Sequence, residues 1–218
     1  CAKVITQNGN GEEFGYGWLH ITLNTLIYDK EFNSVLDYVS FLVNDVRPDG
    51  LIVQDLGLAS VLRRKFPSLA LHASTQMRIH SHLEADFLKK LGFTRAVIAR
   101  ELPKEDIKRF AETGLETEIF IHGAICVSES GGCLMSSVIG NRSGNRGECA
   151  QPCRLPCKSE NKYPLSLKDM CLASHITELC DSGVTSLKIE GRMKSPDYVG
   201  GVTSVYRRLL DENRNATG

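Results

Sequence analysis

The sequence predicts an α/β fold of the (β/α)8 TIM-type barrel class, with about six of the eight strands present. Short apolar runs alternate with helical patterns, which is typical of a parallel sheet wrapped by helices. Polar residues follow each run, as Gln54 and Asp55 follow the second. A barrel carries its active site at the C-terminal strand ends, whereas a doubly wound sheet concentrates function at one switch point. The repeated polar signal therefore favours the barrel.

The strands are predicted from short, nearly continuous apolar runs, as expected for parallel strands buried on both faces. A closed barrel needs eight strands, and the sequence before about Trp18 has no clear βα pattern. We therefore expect an open sheet edge beside the first run, and a closed eight-stranded barrel would contradict this expectation. The predicted strands are residues 20–24, 51–53, 69–73, 96–99, 116–121 and 185–189.

The helices are predicted from apolar periodicity and from capping residues. Pro103 begins one helix, with acidic residues in its first turn and Gly114 after its end. Ser195 caps the last helix, with Pro196 at its first position. The other predicted helices cover residues 31–46, 57–66, 81–91 and 168–181.

Four cysteines, Cys126, Cys133, Cys149 and Cys153, lie in a loop rich in Gly, Ser, Asn and Arg that follows the penultimate strand. Thiolates are soft ligands that an iron–sulfur cluster or a zinc ion can share. The gap of six residues between the first two cysteines is wider than structural zinc usually has, so the spacing favours iron–sulfur. Zinc and unligated thiols remain open, and the series ending in Cys157 misses the radical-adenosylmethionine spacing by one residue.

His122 and Cys126 offer a second interpretation of the same stretch. They are four residues apart just beyond a strand, where an imidazole could take a proton from a thiol nucleophile. The alternative is that His122 only forms hydrogen bonds within the barrel mouth. The sequence contains neither H-E-x-x-H nor G-x-S-x-G, so other protease machinery is not visible.

Basic residues surround the cysteines and the last strand. Arg142, Arg146 and Arg154 suit phosphate or carboxylate groups, although arginines also simply solvate a loop. Lys188 and Glu190 alternate at the C-terminal end of the last strand, where a barrel binds the charged groups of its substrate. The alternative is that they form an internal layer of salt bridges, and both can hold together.

The composition is that of an ordinary globular chain of 218 residues. Its 26 basic residues balance its 26 acidic ones, so no overall field indicates a nucleic-acid partner. The sequence shows neither a signal peptide nor an apolar run long enough to cross a membrane. We expect a cytoplasmic, reducing location without membrane contact, which disfavours disulfides.

Several long motifs resemble the peptidase U-32, or collagenase-like protease, family. They are EIFIHGAICVSESGGCLMSS, NRSGNRGECAQPCR, LSLKDM and SLKIEGRMKSPDYV, and ITLNTL, IVQDLG, HASTQM and ARELP precede them. The resemblance implies a (β/α)8 barrel with a [4Fe–4S] cluster. It implies hydroxylation of a tRNA wobble uridine with prephenate as a needed metabolite, of an rRNA cytidine, or of ubiquinone precursors without oxygen. The peptidase label has no defined mechanism.

The resemblance also assigns roles to residues, with the tRNA uridine branch as the best match. Tyr usually stands at the position of Cys157, which is therefore read as incidental, and Cys171 and Cys180 are read as helix packing residues. Residues 1–17 do not match, so residues 18–218 are expected to form a partial barrel, truncated at the N-terminus, with a cysteine-rich insertion at 126–161. The expected cluster ligands are Cys126, Cys133, Cys149 and Cys153. The residues expected to bind RNA phosphate or a small carboxylate are Arg142, Arg146, Arg154 and Lys188. The expected catalytic residues are His122, Glu190 and Arg192.

Overall fold

The computed structural model describes residues 17–156, 162–191 and 194–217, and Cys157 and Arg192 lie outside this part. Strands and helices alternate along most of the chain, as the sequence predicts. The strands are β1 His20–Leu23, β2 Gly50–Val53, β3 Leu71–Ala73, β4 Phe93–Val97, β5 Glu116–Gly123, β6 Met170–Cys171 and β7 Ser186–Ile189. The helices are α1 Phe32–Phe41, α2 Leu56–Lys65, α3 Ala85–Lys90, α4 Lys104–Ala111, α5 Met135–Gly140, α6 Ile176–Asp181 and α7 Pro196–Thr217.

The strands form one mostly parallel sheet. Its order is β1-β2-β3-β4-β5-β7, and all of these pairs are parallel. The short strand β6 pairs antiparallel with the end of β5. Within the described residues the sheet is open, because β1 pairs only with β2 and β7 only with β5. The expected open edge beside β1 is therefore confirmed, whereas a barrel is not formed by this part of the chain.

The hydrophobic core lies between one face of the sheet and the helices. Alternate strand residues such as Leu51, Leu71 and Ile121 are completely or almost completely buried there. They pack with Leu62 of α2 and Phe110 of α4, which have no exposed surface. Because successive strand side chains point to opposite faces, the other residues of each strand face away from this core.

The second face of the sheet is largely polar at its centre. Two imidazoles, those of His20 and His72, meet edge to face with ring centroids 4.6 Å apart. Gly50 lies between them, and a Cβ on it would come within 3.2 Å of the His72 ring and 3.3 Å of the His20 ring. A glycine at this position therefore makes room for the histidine pair.

Residues 168–181 are predicted as one helix, and this prediction is wrong. Met170–Cys171 form β6, and α6 begins only at Ile176. The end of β5 extends beyond β4, whose last paired residue, Val97, lies opposite Glu118. On this free end the Leu172 amide donates a 3.0 Å hydrogen bond to the Ile121 carbonyl. Pairing with this free strand end overrides the helical spacing.

The other differences are smaller. The predicted helix at 31–46 divides into α1 and a wider π-type turn, Leu42–Val46, that ends at left-handed Arg47. The cysteine-rich insertion, predicted without regular structure, contains the short helix α5, which ends at Asn141 with φ 54°. None of the helices in the described ranges is long and apolar enough to cross a lipid bilayer.

Candidate functional site

A cavity of about 640 Å³ opens at the C-terminal ends of the parallel strands. Every parallel strand, or the residue directly after it, contributes to its wall, and the loop at 144–147 of the cysteine-rich insertion covers one side. We call this space the mouth cavity. It is lined by Thr22, Leu23, Asn24, Thr25, Ile52, Ser74, Thr75, Gln76, Val97, Arg100, Phe120, Gly144, Asn145, Arg146, Gly147, Lys188 and Glu190.

A second cavity, of about 620 Å³, lies elsewhere in the molecule. It is bordered by α6, by the start of β7 and by Arg207 and Leu210 of α7. The start of β7 is the opposite end of that strand from the mouth cavity, and none of the predicted site residues borders this space. The mouth cavity is therefore the candidate functional site.

Arg100 connects the mouth cavity to the cysteine-rich insertion. Its guanidinium donates one hydrogen bond of 2.6 Å to the Ala124 carbonyl and another of 3.0 Å to the Glu190 carboxylate. Its Cζ lies 3.7 Å from the centroid of the Phe120 ring. A guanidinium has five donors in a fixed plane, so this one residue fixes the ends of β5 and β7 and the start of the loop that leads to Cys126.

Below the cavity, Glu118 is the centre of a buried ion cluster. Its carboxylate accepts from Lys188 Nζ at 2.7 Å, from Ser186 Oγ at 2.8 Å and from Arg95 Nη1 at 3.3 Å. Burial alone would raise the pKa of Glu118, but Lys188 and these other donors outweigh it and hold the pKa below its ordinary value. Lys188, predicted to bind an anion, thus already has a carboxylate partner, which agrees with the salt-bridge alternative.

The pKa of each histidine in the pair beside this cluster is lowered, which favours the uncharged ring. Burial lowers the pKa of His72 to about 4, and the nearby Arg95 charge adds to the effect. Burial also lowers the pKa of His20. Arg95 also pairs with Glu116 at 2.8 Å, so two carboxylates face two cations in the cluster. The floor of the site therefore has little net charge.

The four predicted ligand cysteines lie in one lobe above the strand ends. All are free thiols; Cys126 and Cys149 are exposed, and Cys133 and Cys153 are half-buried. The pKa of Cys126 is raised, first because the thiol is partly shielded from water although the residue as a whole is exposed. The Arg100 charge opposes this shift and the other three thiols add to it, so each of those thiols lies within electrostatic range of Cys126. Four nearby thiols are the donor set of an iron–sulfur or zinc centre.

Ligand geometry is nonetheless not formed. Among the described residues, no three His, Cys, Asp or Glu side chains are close enough to hold a metal ion. A small cavity of about 80 Å³ lies beside Cys126 and shares Thr75, Gln76 and Arg100 with the mouth cavity. The structure therefore brings the thiols near each other and near the mouth, and the ligand set stays a prediction.

The lobe arginines are engaged inside the protein. Arg146 donates to Glu31 at 2.8 Å and to the Leu26 carbonyl at 3.1 Å, which attaches the lobe to the turn after β1. Arg142 donates to the Glu148 carbonyl at 3.0 Å. Arg154 donates to the carbonyls of Ile125 and Leu167 and to Ser166 Oγ. Their predicted anion binding remains a prediction, and their visible role is to hold the lobe in place.

Of the three predicted catalytic residues, the structure describes His122 and Glu190. Their backbones are neighbours, since the Glu190 amide donates a 2.9 Å hydrogen bond to the His122 carbonyl, but their side chains have different partners. His122 Nδ1 lies 3.3 Å from the Tyr206 hydroxyl, and its ring packs against Tyr198 and Tyr206 of α7. No hydrogen bond joins His122 to Cys126 in the described part of the chain. Glu190 borders the mouth cavity and pairs with Arg100. Arg192 lies outside the described residues.

The two remaining described cysteines differ from each other. Cys180 lies in α6, half-buried against the core, as predicted for a packing residue. Cys171 is instead exposed in β6, 3.8 Å from the Tyr206 hydroxyl, because its segment is a strand and not a helix.

Sequence reasoning missed a clamp next to Cys126. Glu101 accepts from the amide of Ser130 and from its hydroxyl, both at 2.8 Å, and lies 2.8 Å from His80 Nε2. The second ring nitrogen of His80 lies 2.7 Å from the Arg78 carbonyl. The only available signal was that Arg100 and Glu101 are polar residues directly after a strand. The clamp fixes the loop between Cys126 and Cys133.

The comparisons with known proteins agree with these motifs. The family model for peptidase family U32 matches residues 17–218. The chain belongs to peptidase family U32. One relative, 23S rRNA 5-hydroxycytidine C2501 synthase of Escherichia coli, is 41% identical over 88% of this chain. A second, tRNA hydroxylation protein P1 of Bacillus subtilis, is 34% identical over 95% of this chain. A third, Collagenase of Porphyromonas gingivalis, is 30% identical over 91% of this chain.

This U32 chain spans only part of those relatives. It covers 30% of the length of the Escherichia coli synthase, 54% of the Bacillus subtilis protein and 52% of the Porphyromonas gingivalis protein. Each relative therefore contains sequence outside the part that this chain matches, and its name refers to that longer protein. The family is thus shown, and a reaction for this chain requires a separate proposal.

The His80 clamp predicts a pH-dependent contribution to stability. Burial lowers the pKa of His80, but the hydrogen bonds to Glu101 and to the Arg78 carbonyl outweigh it, so the pKa is raised above 6.5. A raised folded-state pKa stabilises the fold below the unfolded pKa, and this contribution is lost as pH rises through the folded pKa. The difference in unfolding free energy between wild type and His80→Ala should therefore shrink from pH 6 to pH 9, measured by urea denaturation. In a Glu101→Gln background this pH dependence should be much weaker, and an equal dependence there would contradict the clamp.

The Arg146 contacts predict how firmly the lobe is attached. Arg146 and Glu31 are each about one-third exposed, so their ion pair is screened by water. Arg146→Ala should speed amide exchange in residues 144–147 by only about two- to fivefold, because an ion pair that is screened by water contributes little to local stability. Hydrogen exchange read by mass spectrometry measures this. Arg207→Ala, which breaks an exposed pair with Asp211 on α7, should leave the exchange of the loop unchanged.

Proposed function

We propose that this chain is the strand-end and cysteine-lobe portion of an enzyme that hydroxylates RNA, with a tRNA uridine as the first candidate substrate. The observation that carries the proposal is the position of a four-thiol lobe directly above a polar cavity, in a chain of the same family as two RNA hydroxylation proteins. The 41% identity to an rRNA hydroxycytidine synthase makes an rRNA cytidine the second candidate.

The donor chemistry of the lobe fits an iron–sulfur cluster. Cys126, Cys133, Cys149 and Cys153 are free thiols in one lobe, and ligation would draw them closer than the described geometry does. A bound cluster would supply single electrons at the edge of the mouth cavity. Zinc uses the same donors, and the metal analysis below distinguishes the two.

The residues of the chain would hold and shield the substrate. Arg100 fixes the Ala124 carbonyl and therefore the loop that carries Cys126. The Glu101 clamp orders the same loop from its other end through Ser130. The lobe, attached by Arg146, covers one side of the cavity, which limits the access of water to a bound substrate. A small carboxylate such as prephenate is a further expected co-substrate, without an assigned place.

A peptidase reaction has less support in the geometry, although one relative is named Collagenase. The Cys126 thiol forms no hydrogen bond with His122 within the described residues, so the expected base is not placed to produce the nucleophilic thiolate. The expected base, His122, is hydrogen-bonded to Tyr206. A serine, a carboxylate and a histidine also lie together at Ser130, Glu101 and His80. They do not form a catalytic triad, because the Glu101 carboxylate lies between the hydroxyl and the imidazole and the histidine cannot take the proton of the serine.

The proposed reaction predicts a missing hydroxyl group on RNA. In a strain of the source organism that lacks the gene, mass spectrometry of tRNA nucleosides should show loss of 5-hydroxyuridine or of nucleosides derived from it. The full gene should restore it and a Cys126→Ser version should not, because the latter removes one expected ligand. Cys180→Ser, which changes a thiol in α6, is the matched control and should restore it.

Other results of that experiment have a defined meaning. Loss of 5-hydroxycytidine from 23S rRNA with unchanged tRNA would move the substrate to rRNA. Unchanged nucleosides in both RNAs would contradict the proposal, and quinone analysis of the same strain would then test the hydroxylation of ubiquinone precursors.

The cofactor proposal predicts the metal content of the chain. Protein purified without oxygen should contain about four iron and four sulfide per chain and should absorb visible light, as a [4Fe–4S] centre does. Cys133→Ser and Cys149→Ser should each lower the iron content strongly, whereas Cys180→Ser should not. Colourless protein with one zinc per chain would contradict the cluster and support a zinc site.

A further inference from the structure

We propose that the mouth cavity binds a single nucleobase that is extruded from an RNA strand. This inference rests on the proposed function, and it adds which space holds the substrate and what chemistry recognises it. Enzymes that modify a base cannot reach it inside a stacked helix, so they take it out of the stack into a pocket. The mouth cavity is the described space that adjoins the cysteine lobe and is large enough for this.

Its size fits such a ligand. The volume of about 640 Å³ falls within the roughly 300–1,000 Å³ of small-molecule sites. The small cavity of about 80 Å³ has room only for a few atoms, but it lies between the mouth and Cys126. A base in the mouth would therefore present one edge toward the cysteine lobe.

The charges of the wall favour an uncharged ligand. Among the described residues three cations border the cavity, and each already has a carboxylate partner: Arg100 has Glu190, Lys188 has Glu118, and Arg146 has Glu31. A free carboxylate or phosphate in this space would compete with these pairs. A neutral base with its phosphate left outside at the rim would not.

The remaining polar wall consists of amides and hydroxyls. An amide offers a donor and an acceptor side by side, which matches the alternating edge of a pyrimidine. Such side chains stand around the whole opening: Thr22, Asn24, Thr25, Ser74, Thr75, Gln76 and Asn145. The name of one relative, a hydroxycytidine synthase, agrees with a pyrimidine.

Two buried atoms in this wall lack partners. Thr75 Oγ1 and Gln76 Oε1 are shielded from solvent, and neither has a hydrogen bond within the part of the chain that the structure describes. Leaving a buried polar group unpaired costs about 1–3 kcal/mol, so a bound molecule with hydrogen-bond donors and acceptors would satisfy them. Both residues border the mouth and the small cavity. A rotation of either side chain would bring its free oxygen to the edge of the base that faces Cys126.

Arg100 would provide a surface for the base. It lies over the Phe120 ring and is held in place by Ala124 and Glu190, while it still borders the cavity. Bases stack on guanidinium planes as well as on aromatic rings, and a fixed plane loses little entropy on binding.

The test measures the binding of neutral nucleosides to the 218-residue chain. Isothermal titration with cytidine and uridine should give weak binding, on the order of millimolar, that is nearly the same at low and high salt because the base is uncharged. Ribose and malonate should not compete. Binding of malonate that displaces the nucleoside and weakens with salt would overturn the proposal, because the cavity would then be an anion site.

Two variants connect this binding to the cavity. Gln76→Leu removes an amide that makes no side-chain hydrogen bond among the described residues, and it should weaken nucleoside binding about tenfold. Asn145→Ala, in the partly exposed lobe loop, should weaken it without a risk to the core. Asn33→Ala, on the exposed face of α1, is the matched control and should change nothing. Circular dichroism confirms that each variant is folded, and equal affinities of all three would overturn the proposal.

A crosslinking experiment distinguishes this inference from the proposed function. Single-stranded RNA carrying 5-iodocytidine, irradiated with the chain, should crosslink to peptides that contain Phe120 or Asn145. Crosslinks confined to the outer helices would overturn the base pocket and leave the RNA hydroxylation proposal standing. Crosslinks in the cavity with unchanged cellular RNA would support the pocket and contradict the reaction.

Discussion

The whole strand-end region depends on the need to satisfy one buried guanidinium. Arg100 is only 13% exposed, and its donors reach a carbonyl after β5 and a carboxylate after β7. Its guanidinium plane also lies over the Phe120 ring within β5. A planar group with several donors can bind these partners at once only if β5 and β7 end at the same level along the sheet. Removing the Glu190 carboxylate would leave a largely buried cation without the acid with which it pairs, which costs several kcal/mol. The positions of the cavity wall and of the cysteine loop therefore both follow from this side chain.

The two faces of the sheet are stabilised by different interactions. The face under the helices is apolar and gains its stability from burial. On the inner face, which is the face with the histidine pair, Lys188 and Arg95 both contact Glu118, and Arg95 also pairs with Glu116. Each charge there is paired, so the inner face is polar without a large net field. This arrangement leaves the mouth cavity able to discriminate by hydrogen bonds, which depend strongly on direction.

Much of the fold could be predicted from the sequence because the apolar runs encode it directly. The strands at 51–53 and 116–121 are recovered nearly residue for residue, and the open edge at β1 follows from the strand count. The two-residue strand β6 could not be predicted, since it exists only because β5 extends past its parallel partner. The same limit applies to the site. Cysteine spacing identifies the lobe, but the pairing of Arg146 with Glu31 and of Glu101 with Ser130 depends on which strand ends become neighbours in space.

The attachment of the lobe to the turn after β1 has a consequence for the order of folding. Arg146 and the carbonyl that it contacts are 120 residues apart in the sequence, whereas the parallel pairs from β1 to β5 join strands that are neighbours along the chain. Contacts between distant residues form late, because the entropy of closing a long loop is lost before the contact contributes. During synthesis β1 to β5 can therefore assemble while the mouth is still uncovered. The cysteine loop follows β5 and precedes β7 in the sequence, so β1 to β5 are the part of the sheet that can already exist when the loop reaches its place.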